Sequence, residues 1–196
     1  MLDESHINSV LKDTDIKDKT KDLRASFKED VAPMLDISTH DFLSLVYITP
    51  SLAIAKSYHD VNIFEELSIN TKARKLSKGK YFLQSDPVAH AIKYLLDSFD
   101  KWEDKFYNHL KYIIDKNVNE SKVDSKSTDV IESFNNSPHD LALVIETFFL
   151  NEGESIADER EISKKELGKV KYILEKTGLS YLHPVKLFLN TYKLKE

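Results

Sequence analysis

The chain has 196 residues, of which only four are glycine and five are proline. β-Sandwiches and barrels need many turns rich in these residues, so their scarcity argues against an all-β fold and excludes collagen-like and proline-rich disordered chains. The absence of cysteine excludes disulfides, thiolate metal sites and cysteine nucleophiles, and the net charge of −5 argues against nucleic acid as a partner. We therefore expect a mostly helical chain, folded as a single domain over residues 1–196.

The N-terminal segment is polar and carries neither a basic region nor an apolar run, which indicates a cytoplasmic protein without a signal peptide. Residues 1–16 form either a short helix or a loose arm. After them Leu23, Phe27 and Val31 recur at a spacing of four, which predicts a helix over about residues 17–31.

The longest nearly uncharged run covers residues 42–55 and is too short for a membrane span, which needs about 20 residues. It predicts a buried helix, with Ser38 as N-cap and Asp41 in its first turn. Thr49 and Pro50 predict a kink or a restart of this helix, because proline lacks the backbone donor that a helix interior needs. A further helix should follow and end at Gly79.

The most regular pattern covers residues 86–116, where apolar residues step by three and four positions. This pattern predicts one continuous helix of roughly 45 Å at 1.5 Å per residue, the central post of the fold. The stripe is formed by Val88, Ile92, Leu95, Phe99, Trp102, Phe106, Leu110 and Ile113.

Residues 115–128 are almost devoid of apolar side chains and predict a mobile loop. Pro138 begins the next helix, and Ser163 with Glu166 forms a capping box for another that ends at Gly178. Pro184 begins a last helix that reaches the C-terminus. The expected fold is therefore an all-α bundle of about six to eight helices.

A metal site is one hypothesis, because three His-Asp pairs occur in the chain and both residue types bind divalent cations. His59 and Asp60, with His40 upstream, resemble the ligand pattern of the helical HD-type phosphohydrolases. The resemblance implies a metal-dependent hydrolase, although polar residues precede this pair and no glycine follows it. His-Asp pairs near helix starts also have a structural explanation, since aspartate is favoured in the first turn.

A ligand site within the bundle is another hypothesis. His109 lies seven residues after Trp102 on the apolar stripe, where it could bind a haem or another small ligand. The alternative is a histidine at the edge of the core that makes one hydrogen bond.

The aromatic segment of Phe99, Trp102 and Phe106 indicates either a core seam or an interface between two copies of the chain. The leading interpretation of the whole sequence is a soluble helical module for protein interaction or regulation, without catalytic activity or a bound cofactor. The alternatives are the metal-dependent hydrolase and the ligand-binding bundle.

Two further resemblances concern the C-terminal half. The last 33 residues carry eight lysines and three glutamates, and their two helices resemble a helix-turn-helix. Residue types suited to reading bases are missing there, so an ordinary helical hairpin is the preferred interpretation. The segment 138–148 is loosely similar to a motif of helical redox-enzyme maturation chaperones, which keeps a chaperone among the binding functions.

Overall fold

A computed structural model describes residues 1–58, 63–78 and 87–195, and within these ranges the chain is all-α, as predicted. Ten helices form in these ranges, more than the six to eight expected from the sequence, because several are short and one predicted helix is divided. Their bounds are α1 Glu4–Val10, α2 Thr14–Val31, α3 Thr39–Tyr58, α4 Ile63–Leu76, α5 Pro87–Asp97, α6 Phe99–Asn117, α7 Val130–Asn135, α8 His139–Phe149, α9 Lys164–Lys176 and α10 His183–Leu189.

Helix α3 is the centre of the bundle. It packs against α1, α2, α4, α5, α6, α8 and α9, and every residue from 40 to 53 is buried. A helix that is apolar on all sides is stable only when neighbours surround it, which explains why the uncharged run of the sequence occupies this place. The prediction that the segment 86–116 forms the central post is wrong, because α3 has that position.

The start of α3 is capped as predicted. The backbone N–H of Asp41 donates to Ser38 Oγ at 3.0 Å, and Ser38 Oγ donates to Asp41 Oδ2 at 2.7 Å. The helix then continues through Pro50 to Tyr58 without a restart. Thr49 does not cap a new helix, since its hydroxyl donates to the carbonyl of Leu45 at 2.9 Å within the same helix.

The predicted continuous helix over 86–116 is wrong in one respect, because it divides at Ser98 into α5 and α6. The N–H of Ser98 donates to the carbonyl of Leu95, and Ser98 O accepts from the N–H of Lys101, each at 3.1 Å and across three residues. Such tight turns interrupt the α-helical ladder while leaving the apolar residues at nearly the same spacing. Both helices therefore pack on α3 through the apolar stripe from which a single helix was predicted.

Two segments that the sequence predicts to be loose or mobile form local structure. The N-terminal segment forms α1 and places Leu2 and Ile7 in the core. Between α6 and α7 a 3-10 turn forms over Glu120–Lys122, and Asp124 accepts hydrogen bonds from Ser127 N at 3.0 Å and Ser133 Oγ at 2.9 Å. The mobility expected for residues 115–128 stays a prediction.

The C-terminal part forms a β-α-α-β unit. Helix α9 begins with the predicted capping box of Ser163 and Glu166, and it ends before Gly178, which has a φ of +74°. The expectation that α10 extends to the C-terminus is wrong, because it ends at Leu189 and the chain forms strand β2. β2 (Tyr192–Leu194) pairs in parallel with β1 (Arg160–Ile162).

The apolar faces of the helices are used for packing within the bundle. Across the described ranges, no helix combines the length and the hydropathy that crossing a membrane requires.

Candidate ligand-binding cleft

The metal hypothesis rests on three residues, of which His59 and Asp60 lie outside the described residues. His40 is 3% exposed, and its Nδ1 lies 3.5 Å from Asp41 Oδ1. Asp41 caps the start of α3 and accepts a hydrogen bond from the N–H of Lys78 at 3.0 Å, so it has a structural role. Over the described ranges no three potential ligands come together as a metal site would require, and the hypothesis stays a prediction.

His109 and Trp102 both lie in the core and have protein partners. His109 Nε2 lies 2.8 Å from Thr20 Oγ1, and this hydroxyl donates to the carbonyl of Ile16 at 2.7 Å. Because the threonine proton is used in that bond, Nε2 is the donor and His109 is the neutral tautomer protonated on Nε2. Burial, and the charge of Lys19, lower the pKa of His109 to about 4. This geometry matches a histidine held by one hydrogen bond, and a ligand site there stays a prediction.

The aromatic segment lies in the core rather than on the surface. Phe99 is 3% exposed, and Trp102 and Phe106 are completely buried. Trp102 donates its indole N–H to Asp30 Oδ2 at 2.9 Å and packs edge-on against Phe27. Of the two alternatives, the structure therefore contains the core seam, and these three side chains offer no surface to a second copy of the chain.

A cleft of about 190 Å³ lies elsewhere, where α4 and the end of α8 pack against α3. The lining combines apolar residues with a lysine, a glutamate and several neutral polar groups. Its lining consists of Ser51, Ile54, Ala55, Ser68, Ile69, Lys72, Phe148, Phe149, Asn151 and Glu166.

Lys72 is the unusual residue of this cleft, because a lysine is rarely buried without a charged partner. It is 6% exposed, and its Nζ donates to Ser51 Oγ at 2.9 Å and to the carbonyl of Thr147 at 3.4 Å. Among the described residues, no carboxylate lies within 4.0 Å of this ammonium group. Two of its three N–H donors are thus used on neutral oxygens, and the third is available to a ligand.

The C-terminus of α8 explains part of this arrangement. The hydroxyl of Ser51 lies 3.1 Å from the carbonyl of Thr147 and 3.0 Å from that of Phe148, carbonyls in the last turn of the helix. Such carbonyls lack partners within the helix, and the end of the helix dipole attracts a positive charge. Ser51 and Lys72 together satisfy this helix end.

Desolvation dominates the electrostatics of the cleft. Burial lowers the pKa of Lys72 to about 8, while the negative charge of Glu154 acts in the opposite direction. The carboxylates nearby have other partners. Glu154 accepts from the N–H of Asn151 at 2.8 Å, and Glu166 accepts from the N–H of Ser163 at 2.9 Å. The ammonium is therefore charged at neutral pH and only partly compensated.

A serine close to a lysine of lowered pKa is also the pattern of a Ser-Lys nucleophile. In that chemistry the uncharged lysine accepts the hydroxyl proton of the serine. Here Ser51 directs its single proton at the end of α8, and Lys72 donates to Ser51. The arrangement is suited to binding an anion and does not favour proton abstraction.

Sequence reasoning missed Lys72. It lies in a segment of α4 rich in polar and basic residues, Asn70 to Lys75, where a lysine is ordinarily solvated. Its burial depends on the end of α8, which is distant in the sequence. A local signal was present only in the helical periodicity, since Ile69, Ala73 and Leu76 mark the buried face of α4 and Lys72 lies on it.

We compared the chain with models of known protein families, with curated proteins and with solved structures, and no match was found.

Proposed function

We propose that the protein is a non-catalytic helical binding module that holds a small organic carboxylate in the Lys72 cleft. The observation that carries the proposal is a desolvated ammonium group, 6% exposed, without a carboxylate partner among the described residues. A bound carboxylate would supply the missing negative charge and accept the remaining N–H. Charge-assisted hydrogen bonds of this kind are about twice as strong as neutral ones.

The lining of the cleft defines the rest of the ligand. Ile54 and Ile69 lie beside the lysine with the aromatic rings of Phe148 and Phe149, so the ligand should carry a short apolar body. Ser68 and Asn151 offer polar contacts at the edge, although Ser68 Oγ already donates to Asn151 Oδ1 at 3.0 Å. A short-chain fatty acid has both properties.

This proposal keeps the non-catalytic function expected from the sequence and changes the place of binding. Self-association through the segment around Trp102 would require core residues to leave the bundle. A dimer or a protein partner would need another surface, and nothing in the described residues favours one.

The test uses sodium butyrate as the probe and protein labelled with carbon-13 in its lysine side chains. The Lys72 resonance is identified by its loss in the Lys72→Met variant. We expect it to titrate with a pKa of about 8 and to move to a higher pKa when butyrate is bound, because the carboxylate stabilises the ammonium. Butyrate that produces no saturable change in this resonance would contradict the proposal.

A matched control removes a lysine elsewhere. Lys93 is exposed on α5, so Lys93→Met changes the net charge as Lys72→Met does and leaves the cleft intact. We expect butyrate binding to be lost in Lys72→Met and retained in Lys93→Met. Circular dichroism of both variants establishes that the fold is unchanged.

A further inference from the structure

A second pocket lies at the opposite end of α8, where α1, α3, α6 and α8 meet. Its volume is about 110 Å³, and it shares no lining residue with the Lys72 cleft. Most of its wall is apolar, formed by Leu2, Val10, Ile113, Ile114, Val118 and Val144.

Tyr47 brings a polar group to this apolar pocket. The residue is 3% exposed, yet its hydroxyl has no hydrogen-bond partner within the described ranges. A tyrosine with a buried ring normally has a partner for its hydroxyl. The Tyr47 hydroxyl is not among the fully buried polar atoms without a partner, so it faces the pocket, where solvent or a ligand can supply one. Burial and the nearby charge of Asp140 both raise the pKa of Tyr47, so the hydroxyl is neutral and can both donate and accept.

The rim of the pocket carries further acceptors. Asp140 is exposed in the first turn of α8 and makes no ion pair or hydrogen bond with any described residue. Asn117 donates its side-chain N–H to the carbonyl of Ile113 at 2.9 Å, which leaves its Oδ1 as an acceptor. The only basic side chain of the lining is His6, and its Nδ1 lies 2.8 Å from Asp3 Oδ1.

We propose that this pocket binds a short primary alkylammonium ion, with the alkyl chain against the apolar wall and the ammonium group between Tyr47 and Asp140. An ammonium group has three donors and no acceptor, which matches a hydroxyl, a carboxylate and an amide oxygen. The volume admits only a short chain. This inference is independent of the proposed function, since it rests on different residues and on a ligand of opposite charge.

The test measures binding of n-butylammonium to the wild-type protein by nitrogen-15 NMR, with 1-butanol as the neutral ligand of matched length. We expect saturable binding with a roughly millimolar dissociation constant, as so small a ligand allows. Shifts should be concentrated at residues lining the pocket. Butanol should bind about tenfold more weakly, because it lacks the charge that Asp140 attracts.

Two variants remove one polar group each without changing the shape of the pocket. Tyr47→Phe removes only the hydroxyl and Asp140→Asn removes only the charge, and each should weaken butylammonium binding about tenfold. Tyr94 and Asp97 are exposed on α5, so Tyr94→Phe and Asp97→Asn are matched controls that should bind as the wild type does.

Three outcomes would overturn the inference. They are the absence of saturable binding to the wild type, equal binding of butanol and butylammonium, and unchanged binding in both pocket variants. Melting temperatures of the variants within the range of the controls would show that a loss of binding is not a loss of folding.

Discussion

Opposite charges lie at the two ends of helix α8, one buried and the other exposed. At its C-terminus, Lys72 is a buried cation at the floor of a cleft, and at its N-terminus Asp140 is an exposed anion at the rim of a pocket. Both charges complement the helix dipole, which favours cations at the C-terminus and anions at the N-terminus. Stability of α8 therefore explains the sign of each charge. It does not explain why Lys72 is desolvated without an anion, whereas Asp140 stays in contact with solvent. The unexplained burial of Lys72 makes the cleft the stronger candidate for function.

The largest expected effect tests whether burial of the charged Lys72 side chain lowers the free energy of unfolding. Because the pKa of Lys72 is about 8 in the folded state and 10.5 in its ordinary environment, the folded protein releases this proton first. The unfolded chain then binds more protons between these pH values, so the free energy of unfolding should rise with pH in this range. The full difference corresponds to about 3 kcal/mol.

Chemical denaturation between pH 8 and 10 measures this rise in the wild type and in Lys72→Met. The range ends at pH 10 because buried tyrosines such as Tyr47 and Tyr192 have raised pKa values, and their ionisation in the unfolded chain destabilises the fold above that pH. The rise should be absent in Lys72→Met. An identical pH dependence in both proteins would show that Lys72 is not desolvated.

The second prediction uses His109 as a comparison. It is buried to a similar degree and is also hydrogen-bonded, to Thr20, but it is neutral in the folded protein at neutral pH, whereas Lys72 is charged. The pKa of His109 is about 4 in the folded protein and 6.5 ordinarily, so the unfolded chain binds more protons between these values. Stability should fall by up to about 3 kcal/mol as the pH is lowered from 6.5 to 4.

The variant His109→Gln keeps a donor for Thr20 and removes the titration. Acid-induced unfolding of the two proteins should differ by the contribution of His109 alone, because the carboxylates are common to both. Equal acid sensitivity would mean that the imidazole stays hydrated in the folded protein.

The smallest expected effect concerns Asp140. Replacing it with asparagine removes the negative charge from the first turn of α8 and should lower the free energy of unfolding by about 0.3–1 kcal/mol. The effect should decrease at high salt, which screens exposed charges. Urea denaturation at low and high salt measures it, and a stabilised variant would contradict the dipole explanation.

Local features of the fold were predictable from the sequence, and features that depend on distant contacts were not. The capping box of Ser163 and Glu166 needs only neighbouring residues, and the absence of charge over 42–55 marks α3 as buried. The break at Ser98 was missed because a one-residue interruption preserves the apolar spacing. The strands were missed because β1 and β2 are three residues each and pair across two helices.

The candidate sites depend even more on contacts between residues distant in the sequence, so they were harder to predict than the fold. The histidines and aromatic residues that suggested chemistry are core or capping residues wherever the structure describes them. Lys72 and Tyr47 belong to ordinary helical patterns. Lys72 is unusual because it has no carboxylate partner among the described residues, and Tyr47 because its hydroxyl has no hydrogen-bond partner there. Whether a carboxylate lies near Lys72 depends on how the helices pack, and the pattern of residues along the chain does not show it.

The central position of α3 also has a consequence for synthesis of the chain. This helix contacts α1 and α2, which precede it, and α9, which follows it by roughly 100 residues. On the ribosome, its apolar surface therefore stays incompletely covered until α9 has emerged. A nascent or truncated chain that ends before α9 would expose this surface, so it would be a natural substrate for chaperones and prone to aggregation.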